Sequence, residues 1–346
     1  MQSFWYALNK PFFCLAPMAD VTDPAFRALI AKHGKPDVMF TEFVSADGLY
    51  HLNEVAGARG APFFRALRSA ALGITLQNSA PLAPTNPLMR DLQFTEAERP
   101  IVMQVFSSKP EMIAYTAKLA EELGFDGFDI NMGCPDKTIE KQGAGACLIK
   151  TPKLAQELIR VAKASTKLPV SIKTRVGFNQ ENLEEWLLAL LDAEPAAIAI
   201  HLRTRNEMSA VPAHWELMKR AVTLRDKLGS KTLLIGNGDV KDLEDAKQKV
   251  QETGCDGVML GRAIFGNLAL FSKNGHPMST FEKLEALVEL AHNFEKLSPP
   301  KSFAILKKHI KAFVTGFDGA AELRAKLMAA ENATDLAGVV ATLAKL

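Results

Sequence analysis

Residues 127–135 read GFDINMGCP, a short apolar run that passes directly into a sharp turn. A continuously hydrophobic run of this length is typical of a strand in a parallel sheet that is covered on both faces. Gly133 and Pro135 flank Cys134 and end the strand. We therefore predict a buried strand at 127–131, with a thiol just beyond its C-terminal end, where it is placed for chemistry rather than for packing.

Seven more apolar runs of similar length alternate with helical stretches over residues 1–275. The eight predicted strands lie at 14–18, 38–44, 101–106, 127–131, 170–175, 198–203, 232–236 and 257–261. Eight βα units over about 260 residues predict an α/β fold of the (β/α)8 TIM-barrel type. A doubly wound sheet is the competing arrangement, but it usually has fewer strands and a glycine-rich first turn, which is absent here.

Helix starts between the strands support the alternation. Asp23 and Thr151 each precede a proline, which is favoured at the first helical position. Residues 108–111 have the spacing of a capping box. The connection 46–100 is unusually long and is predicted to hold a helix around 63–72, followed by an irregular loop.

The strand pattern stops after residue 275. Helices are predicted at 280–295, 302–314, 319–330 and 333–345, separated by proline and glycine breaks. The sequence therefore predicts two domains, a TIM-barrel catalytic domain at 1–275 and an all-α helical domain at 276–346.

The composition is that of an ordinary globular chain. Of its 346 residues, 48% are hydrophobic and 23% are charged, which supports a large core. A net charge of +2 neither demands nor excludes a nucleic-acid partner. The chain contains no run of 18 apolar residues, so no membrane helix is predicted. The N-terminus does not have the pattern of a signal peptide.

Cysteine usage indicates the compartment. Cys14, Cys134, Cys147 and Cys255 follow neither a metal-ligand spacing nor a disulfide framework. We therefore expect a cytoplasmic protein with free thiols and no metal site. Cys14 and Cys255 are expected to be structural, and Cys147 is expected to serve packing, with a role as a second acid as the alternative.

Polar residues follow the predicted strands at the end where such barrels place their sites. Residues 236–239 read GNGD and residues 261–262 read GR, after the last two strands. Backbone N–H groups and an arginine there match the usual phosphate site of the fold. Gln104, Lys173 and His201 end other strands and form a polar ring above it, although His201 is alternatively a core histidine. This set suits a flat phosphorylated cofactor such as FMN, although many phosphosugar enzymes share the phosphate half.

With these residues identified, the chain resembles the tRNA-dihydrouridine synthase family over nearly its whole length. The motif at 129–135, DINMGCP, is the most specific feature of the resemblance. The other motifs that resemble the family, in the same order, are APMADVTD at 16–23, GAGA at 143–146, VSIKTR at 170–175, NGD at 237–239 and GRA at 261–263.

The resemblance implies a flavoenzyme in which NADPH reduces FMN and the flavin reduces the C5–C6 double bond of a uridine in tRNA. By analogy with the family, the residues that bind FMN are Ala16, Pro17, Met18, Gln104, Lys173, His201, Asn237, Gly238, Asp239, Gly261 and Arg262. The resemblance also implies tRNA and NADPH as partners. A monomer without membrane attachment is expected.

Cys134 is the expected proton donor. Hydride addition to C6 of uracil requires a proton at C5 from the opposite face, and an unperturbed thiol is mostly protonated at neutral pH. Asn131, Arg175 and Arg203 are expected to contact the uracil or the nucleotide phosphate. Glu42 is expected either to contact the substrate or to pair with an arginine of the barrel.

A basic run lies in the helical domain. From residue 296 to 311 there are five lysines, one histidine and no acid. Helical periodicity buries Phe303, Leu306, Ile310 and Phe313, and places Lys307, Lys308 and Lys311 on the other face. We expect these three lysines to bind the tRNA backbone; the alternative is a solvated helix face.

Two other functions compete with this interpretation. One is an FMN barrel oxidoreductase that acts on a free pyrimidine, which would have no use for a basic helical domain. The other is a catalytically silent RNA-binding barrel, which would have no use for Cys134, Lys173 or the phosphate loops.

Overall fold

The computed structural model describes residues 3–58, 86–272 and 278–343. The helix predicted around 63–72 and the domain boundary predicted at 275 lie outside these residues. Within them, every strand of the sheet pairs in parallel with its neighbours. The strands are β1 (Phe12–Leu15), β2 (Met39–Phe40), β3 (Val44–Ser45), β4 (Ile101–Phe106), β5 (Gly127–Met132), β6 (Val170–Arg175), β7 (Ala197–His201), β8 (Leu233–Asn237) and β9 (Gly257–Leu260).

The sheet is a barrel with eight strand positions. Its order is β1-β9-β8-β7-β6-β5-β4-β2, and β3 pairs with β4 beyond the end of β2, so that β2 and β3 share one position. The circle closes where Leu15 N donates to Val38 O at 3.1 Å and Cys14 bridges Val38. The predicted (β/α)8 barrel is confirmed.

Predicted strand bounds hold best where both faces are buried. The predictions at 101–106 and 170–175 match β4 and β6 residue for residue. The prediction at 14–18 is wrong at its end, because the chain leaves the sheet after Leu15 and residues 16–18 belong to a loop. The strand predicted at 198–203 ends at His201, and the run predicted at 38–44 is divided between β2 and β3.

Helices surround the barrel and continue beyond it. The α-helices are Phe4–Ala7, Pro24–Gly34, Ala46–Ala58, Pro87–Asp91, Pro110–Glu122, Lys137–Glu140, Pro152–Ser165, Leu183–Asp192, Glu216–Lys227, Leu243–Thr253, Thr280–Glu295, Phe303–Phe313, Ala320–Ala329 and Ala333–Leu343. Short 3-10 helices lie at Glu96–Glu98, Gly145–Lys150 and Arg262–Ile264. The last four α-helices confirm the helices predicted after residue 275.

Helix caps agree with the sequence at one site and differ at another. Asp23 caps the helix Pro24–Gly34, because its carboxylate accepts from Phe26 N at 3.0 Å. The capping box predicted at 108–111 is wrong: the helix there begins at Pro110, and Ser108 instead donates to the carbonyl of Gln142 at 2.5 Å.

The helical segment packs directly on the barrel layer. His309 of the helix Phe303–Phe313 lies with its ring centroid 4.4 Å from that of Phe26. Leu306, Ile310 and Phe313 are buried in the same hydrophobic core that lines the barrel helices. Helical periodicity does not predict the burial of His309 beside Leu306 and Ile310, since its ring is amphipathic and the apolar stripe is complete without it.

A buried cluster of charged side chains also joins the helical segment to the barrel. The Lys301 ammonium lies 2.6 Å from Glu42 Oε2, 3.3 Å from Asp91 Oδ1 and 4.0 Å from Asp23 Oδ2. The side chain of Lys301 is only 4% exposed. Lys301 is thus the cation nearest Glu42, which follows β2, and it also approaches Asp23 and Asp91, of which Asp91 has a second partner in Arg90 at 2.8 Å.

Two broader features of the described ranges bear on function. None of their helices combines the length and the apolar character needed to span a bilayer. In the same ranges no cluster of His, Cys, Asp and Glu side chains is arranged to hold a metal ion.

Replacing Lys301 with methionine should lower the free energy of unfolding by about 3–5 kcal/mol, since it leaves buried carboxylates without their cation. Urea unfolding followed by circular dichroism measures this change. Lys296→Met is the matched control, because Lys296 is exposed and makes no ion pair with any described residue. Equal stability of the two variants would contradict the role of the cluster.

Candidate active site

The turn after β5 is held by the side chain of Asn131. Its Oδ1 accepts from Gly133 N at 3.1 Å and from Cys134 N at 2.9 Å. Gly133 lies against β6, where an added Cβ would stand 3.1 Å from the backbone of Thr174. Arg175 Nε donates to the carbonyl of Gly133 at 2.8 Å. The turn is thus fixed from three directions, and it presents Cys134 at the mouth of the barrel.

Cys134 is half-buried and is held on its other side by the loop that follows. Its carbonyl accepts from Ala146 N at 3.0 Å. Gly145 adopts φ +62°, and a Cβ there would lie 2.7 Å from that carbonyl, so that only glycine fits. Burial raises the pKa of the Cys134 thiol, although nearby positive charges oppose the shift. The thiol is therefore in its protonated form at neutral pH.

Gln104 lies beside this turn and is fully buried. Its Nε2 donates to Asp129 Oδ2 at 2.7 Å, and its Oε1 accepts from Asn131 Nδ2 at 3.0 Å. Both amides predicted to contact ligands are thus hydrogen-bonded to one another. One N–H of each amide has no hydrogen-bond acceptor among the described residues.

Lys173 supplies a cation in the mouth. Burial, together with the charge of Arg175, lowers the pKa of Lys173 to about 8, while Asp129 opposes the shift. The ammonium group is still mostly protonated at neutral pH, and it makes no hydrogen bond within the part of the chain that the structure describes. An anionic group placed above it would therefore gain a favourable charge interaction.

His201 ends β7 and is neutral. Burial and the surrounding lysine and arginine charges lower the pKa of His201 to about 2. Arg203 Nη1 lies 3.1 Å from His201 Nε2. Because arginine can only donate, Nε2 is the acceptor and the ring proton is assigned to Nδ1. His201 therefore offers a neutral donor rather than a charge.

Arg203 and Arg262 converge on Asp239. The guanidinium of Arg203 forms an ion pair with Asp239 Oδ2, and Arg262 Nη2 lies 2.8 Å from Oδ1. Arg203 is buried and also donates to the carbonyl of Val211 at 2.6 Å. Its side chain therefore holds the loop after β7 against the loop after β8, whereas Arg262 is 65% exposed and open to solvent.

Backbone groups form a cradle after β8 and β9. Among the described residues, the N–H groups of Gly238, Asp239, Gly261 and Arg262 have no hydrogen-bond acceptor. Gly238 has φ +131°, and a Cβ there would approach Ala213 to 2.7 Å. Free N–H groups in a glycine-lined loop are the donors that a phosphate requires.

Neighbouring contacts set the shape of the cradle. Asn237 Nδ2 donates to the carbonyl of Met259 at 2.8 Å and ties β8 to β9. A Cβ on Gly261 would stand 3.6 Å from both Ala16 and Met18, so the loop after β1 borders the cradle. The stretch 16–18 and the cradle thus line one continuous face.

Two predicted substrate residues are engaged in holding the protein together. Arg175 donates to the carbonyls of Gly133 and Thr204. Glu42 is paired with Lys301, and its Oε1 accepts from Val21 N at 3.3 Å. The ion-pair alternative for Glu42 therefore describes its surroundings, with a lysine rather than an arginine as partner.

The three lysines predicted to bind tRNA lie on the helix Phe303–Phe313. Lys311 is exposed and Lys307 is half-buried. Lys308 is exposed and lies 3.2 Å from Asp20 Oδ2, in the loop after β1. The basic face is thus joined to the loop that borders the cradle.

Sequence reasoning missed two residues of this region. Asp129 precedes Asn131 by two positions in β5, so the period of a strand places both on one face, and this signal was available. Lys301 follows two prolines in a connection between helices, and no pattern marks it as buried.

A closed parallel barrel with a protonated thiol and an N–H cradle at one mouth belongs to the class of (β/α)8 barrel enzymes. The family model for dihydrouridine synthase matches residues 14–61 and 74–345. The chain is 37% identical to the "Probable tRNA-dihydrouridine synthase" of Staphylococcus aureus (strain COL), over 94% of this chain and 91% of that protein. It is 38% identical to the "Probable tRNA-dihydrouridine synthase 2" of Bacillus subtilis (strain 168), over 94% and 92%.

The chain belongs to the dihydrouridine synthase family, and thus to a family of enzymes. Among solved structures, morphinone reductase is similar with a TM-score of 0.49 and 11% identity, covering 80% of this chain and 89% of that one.

The raised pKa predicts how Cys134 reacts with iodoacetamide. The thiolate is the reactive form, so the rate should rise with pH and reach its midpoint above the pH expected for a free thiol, about 8.5. Peptide mass spectrometry follows the Cys134 peptide by itself, with Cys134→Ser as the blank. A midpoint below that of a free thiol would show that nearby cations outweigh burial.

Proposed function

We propose that this protein reduces the C5–C6 double bond of a uridine in tRNA to 5,6-dihydrouridine, with FMN as cofactor and NADPH as reductant. The observation that carries the proposal is the half-buried, protonated thiol of Cys134 at the same barrel mouth as the N–H cradle. Membership of the dihydrouridine synthase family supports the reaction type.

The residues at the mouth fit FMN. The free N–H groups of Gly238, Asp239, Gly261 and Arg262 suit its phosphate, and the exposed Arg262 guanidinium adds a positive charge. Lys173 brings a cation to the region of the flavin ring. The remaining cofactor contacts are proposed for Ala16, Pro17, Met18, Gln104, His201 and Asn237.

FMN held by Gly238, Asp239, Gly261 and Arg262 would supply, in its reduced form, the hydride for C6 of the uracil. Cys134 Sγ gives its proton to C5, so that the double bond gains two hydrogens and the thiol is restored from solvent. The raised pKa of Cys134 keeps this proton in place until charge develops on the base. Lys173 and Arg175 stabilise the negative charge that develops on the reacting groups.

The uracil would be held by groups that still have a free donor. Asn131 keeps one N–H after its bond to Gln104, and Nη2 of Arg175 makes no hydrogen bond in the described ranges. We propose that these two donors contact the uracil carbonyls. Arg203 and Glu42 act on the substrate through the loops that they hold.

The helix Phe303–Phe313 would bind the tRNA backbone through Lys307, Lys308 and Lys311. Its buried face packs on the barrel, which leaves these lysines as the charged surface beside the mouth. The target base must leave its stack to reach Cys134, at a cost of a few kcal/mol that is lowest for a loop nucleotide.

The decisive experiment uses tRNA transcribed in vitro, which carries no dihydrouridine, together with the purified protein, FMN and NADPH. Mass spectrometry should show a gain of two hydrogens on a uridine. Cys134→Ala should reduce the rate about 10²–10⁴-fold, the usual contribution of a general acid. Cys147→Ala is the matched control, since that thiol lies in the 3-10 helix Gly145–Lys150 and donates to the carbonyl of Glu140, so its loss should leave the rate unchanged.

Three outcomes would sink the proposal. Reduction of free uracil with tRNA unchanged would favour the enzyme of free pyrimidines. Binding of tRNA without any flavin absorption in the purified protein would favour the silent RNA-binding barrel. Full activity of Cys134→Ala would remove the assigned proton donor.

Charge reversal of Lys307 and Lys311 tests the basic face. The double variant to glutamate should raise KM for tRNA about tenfold at low salt with little change in kcat, and lower the salt slope of log K by about 0.9 per lost phosphate contact. Lys219→Glu on the barrel helix Glu216–Lys227 is the control, because Lys219 is likewise exposed. Equal KM values for the two variants would refute the assignment.

A further inference from the structure

We infer that Asp129 is a positioning residue for the candidate acid, because it fixes the direction of a buried hydrogen-bond chain that ends on the turn of Cys134. The effect of Asp129 on catalysis rests on the proposed function. Its effect on the position of Cys134 can be tested independently of that function. Asp129 does not touch the expected position of the substrate. It acts through Gln104 and Asn131.

The chain of hydrogen bonds runs from the barrel interior to its mouth. Asp129 is 1% exposed, and its Oδ2 accepts from Gln104 Nε2 at 2.7 Å. Gln104 Oε1 accepts from Asn131 Nδ2 at 3.0 Å, and Asn131 Oδ1 accepts from Cys134 N at 2.9 Å. The other carboxylate oxygen, Oδ1, accepts from Ser171 Oγ at 2.6 Å. Three consecutive hydrogen bonds thus connect the carboxylate to the turn.

The carboxylate determines which way each amide points. An ionised Asp has only acceptors, so Gln104 must present its NH2 group to Asp129 and its carbonyl to Asn131. Asn131 must then present its NH2 group to Gln104 and its carbonyl to the turn. Reversal of one amide would bring two donors or two acceptors together in a buried site, where an unpaired polar group is strongly unfavourable.

The same carboxylate also faces the cation of the mouth. Burial raises the pKa of Asp129 to about 6, whereas Ser171, Gln104 and the charge of Lys173 oppose the shift. Asp129 is therefore mostly ionised at neutral pH, and its charge partly offsets the lowering of the Lys173 pKa by burial and by Arg175. One buried group thus orients the acid side of the mouth and keeps the lysine charged.

Asp129→Asn is the first test. The introduced NH2 group can face the NH2 group of Gln104, so the chain of hydrogen bonds loses its direction and the turn loses its fixed acceptor. Alkylation of Cys134 by iodoacetamide should become faster as Sγ is released, and reduction of tRNA should fall roughly tenfold to a hundredfold. Cys14 and Cys255 should stay unreactive, which separates this effect from general unfolding.

Rescue by a second substitution tests the direction of the chain of hydrogen bonds. When Asp129→Asn is combined with Gln104→Glu, the carboxylate lies at position 104 instead of position 129. It can then accept hydrogen bonds from the amide side chains at positions 129 and 131. Cys134 alkylation should then return to the wild-type rate. Ser171→Ala is the matched control, because it removes a hydrogen bond to the Asp129 carboxylate but leaves the bond to Gln104 intact.

The outcomes are distinguishable. An unchanged alkylation rate in Asp129→Asn, or a double variant no closer to the wild type than the single one, overturns the inference. If the single variant fails to fold, the double variant decides, since the amides and the carboxylate of its chain are again paired donor to acceptor. Failure of the wild type to reduce tRNA would defeat the proposed function, but the alkylation comparison would still test Asp129.

Discussion

The hydrogen bond from Leu15 N to Val38 O closes the sheet, and the arrangement of the site depends on that closure. An open sheet would leave the loop after β1 at one edge and the loop after β5 five strands away. In the closed circle, β5 and β9 are separated by four steps in either direction, so they lie opposite one another. Cys134 and the N–H cradle therefore face each other across one mouth, and a flat ligand can reach both.

Charge in this mouth is unevenly satisfied. Arg175 and Arg203 are buried, but each donates to backbone carbonyls, and Arg203 also pairs with Asp239. Lys173 has no hydrogen-bonded partner among the described residues. Its pKa is lowered because burial disfavours the charged form of its ammonium group. A partly buried cation without a bonded counter-charge is unfavourable unless a ligand supplies one. Of these three cations, Arg175 and Arg203 hold loops in place, whereas Lys173 makes no hydrogen bond with any described residue.

The sequence predicted the barrel, and it placed the candidate site residues at strand ends, because both inferences follow from local patterns. Runs buried on both faces located β4 and β6 to the residue, and strand ends located Cys134, Lys173 and the cradle. The errors occur at two strand ends that border the candidate site, Leu15 and His201, because the apolar sequence continues past the residue where each strand ends.

The partners of the site residues could not be predicted in the same way. Glu42 meets Lys301 across 259 positions of sequence, and Arg203 meets Asp239 across 36. Such pairs form when whole helices, strands and loops pack together. The hydrophobic periodicity of a short stretch of sequence does not predict which of them will meet. One of the two contacts of Asn131 could be predicted from local sequence. Short amide side chains at the start of a loop often hydrogen-bond to the backbone of their own turn, as Asn131 does with Cys134 N. Its second bond, to Gln104 on the neighbouring strand, depends on sheet register.

The helical segment is tied to the site by charge as well as by apolar packing. Lys301 holds Glu42, and Glu42 accepts from Val21 N, while Lys308 pairs with Asp20 in the same loop. That loop leads from the stretch 16–18 that borders the cradle. Because the cluster is buried and contains three carboxylates, moving Lys301 away would leave negative charge unpaired in the protein interior. The basic helix face is therefore connected to the mouth of the barrel by two separate charge contacts, one from Lys301 and one from Lys308.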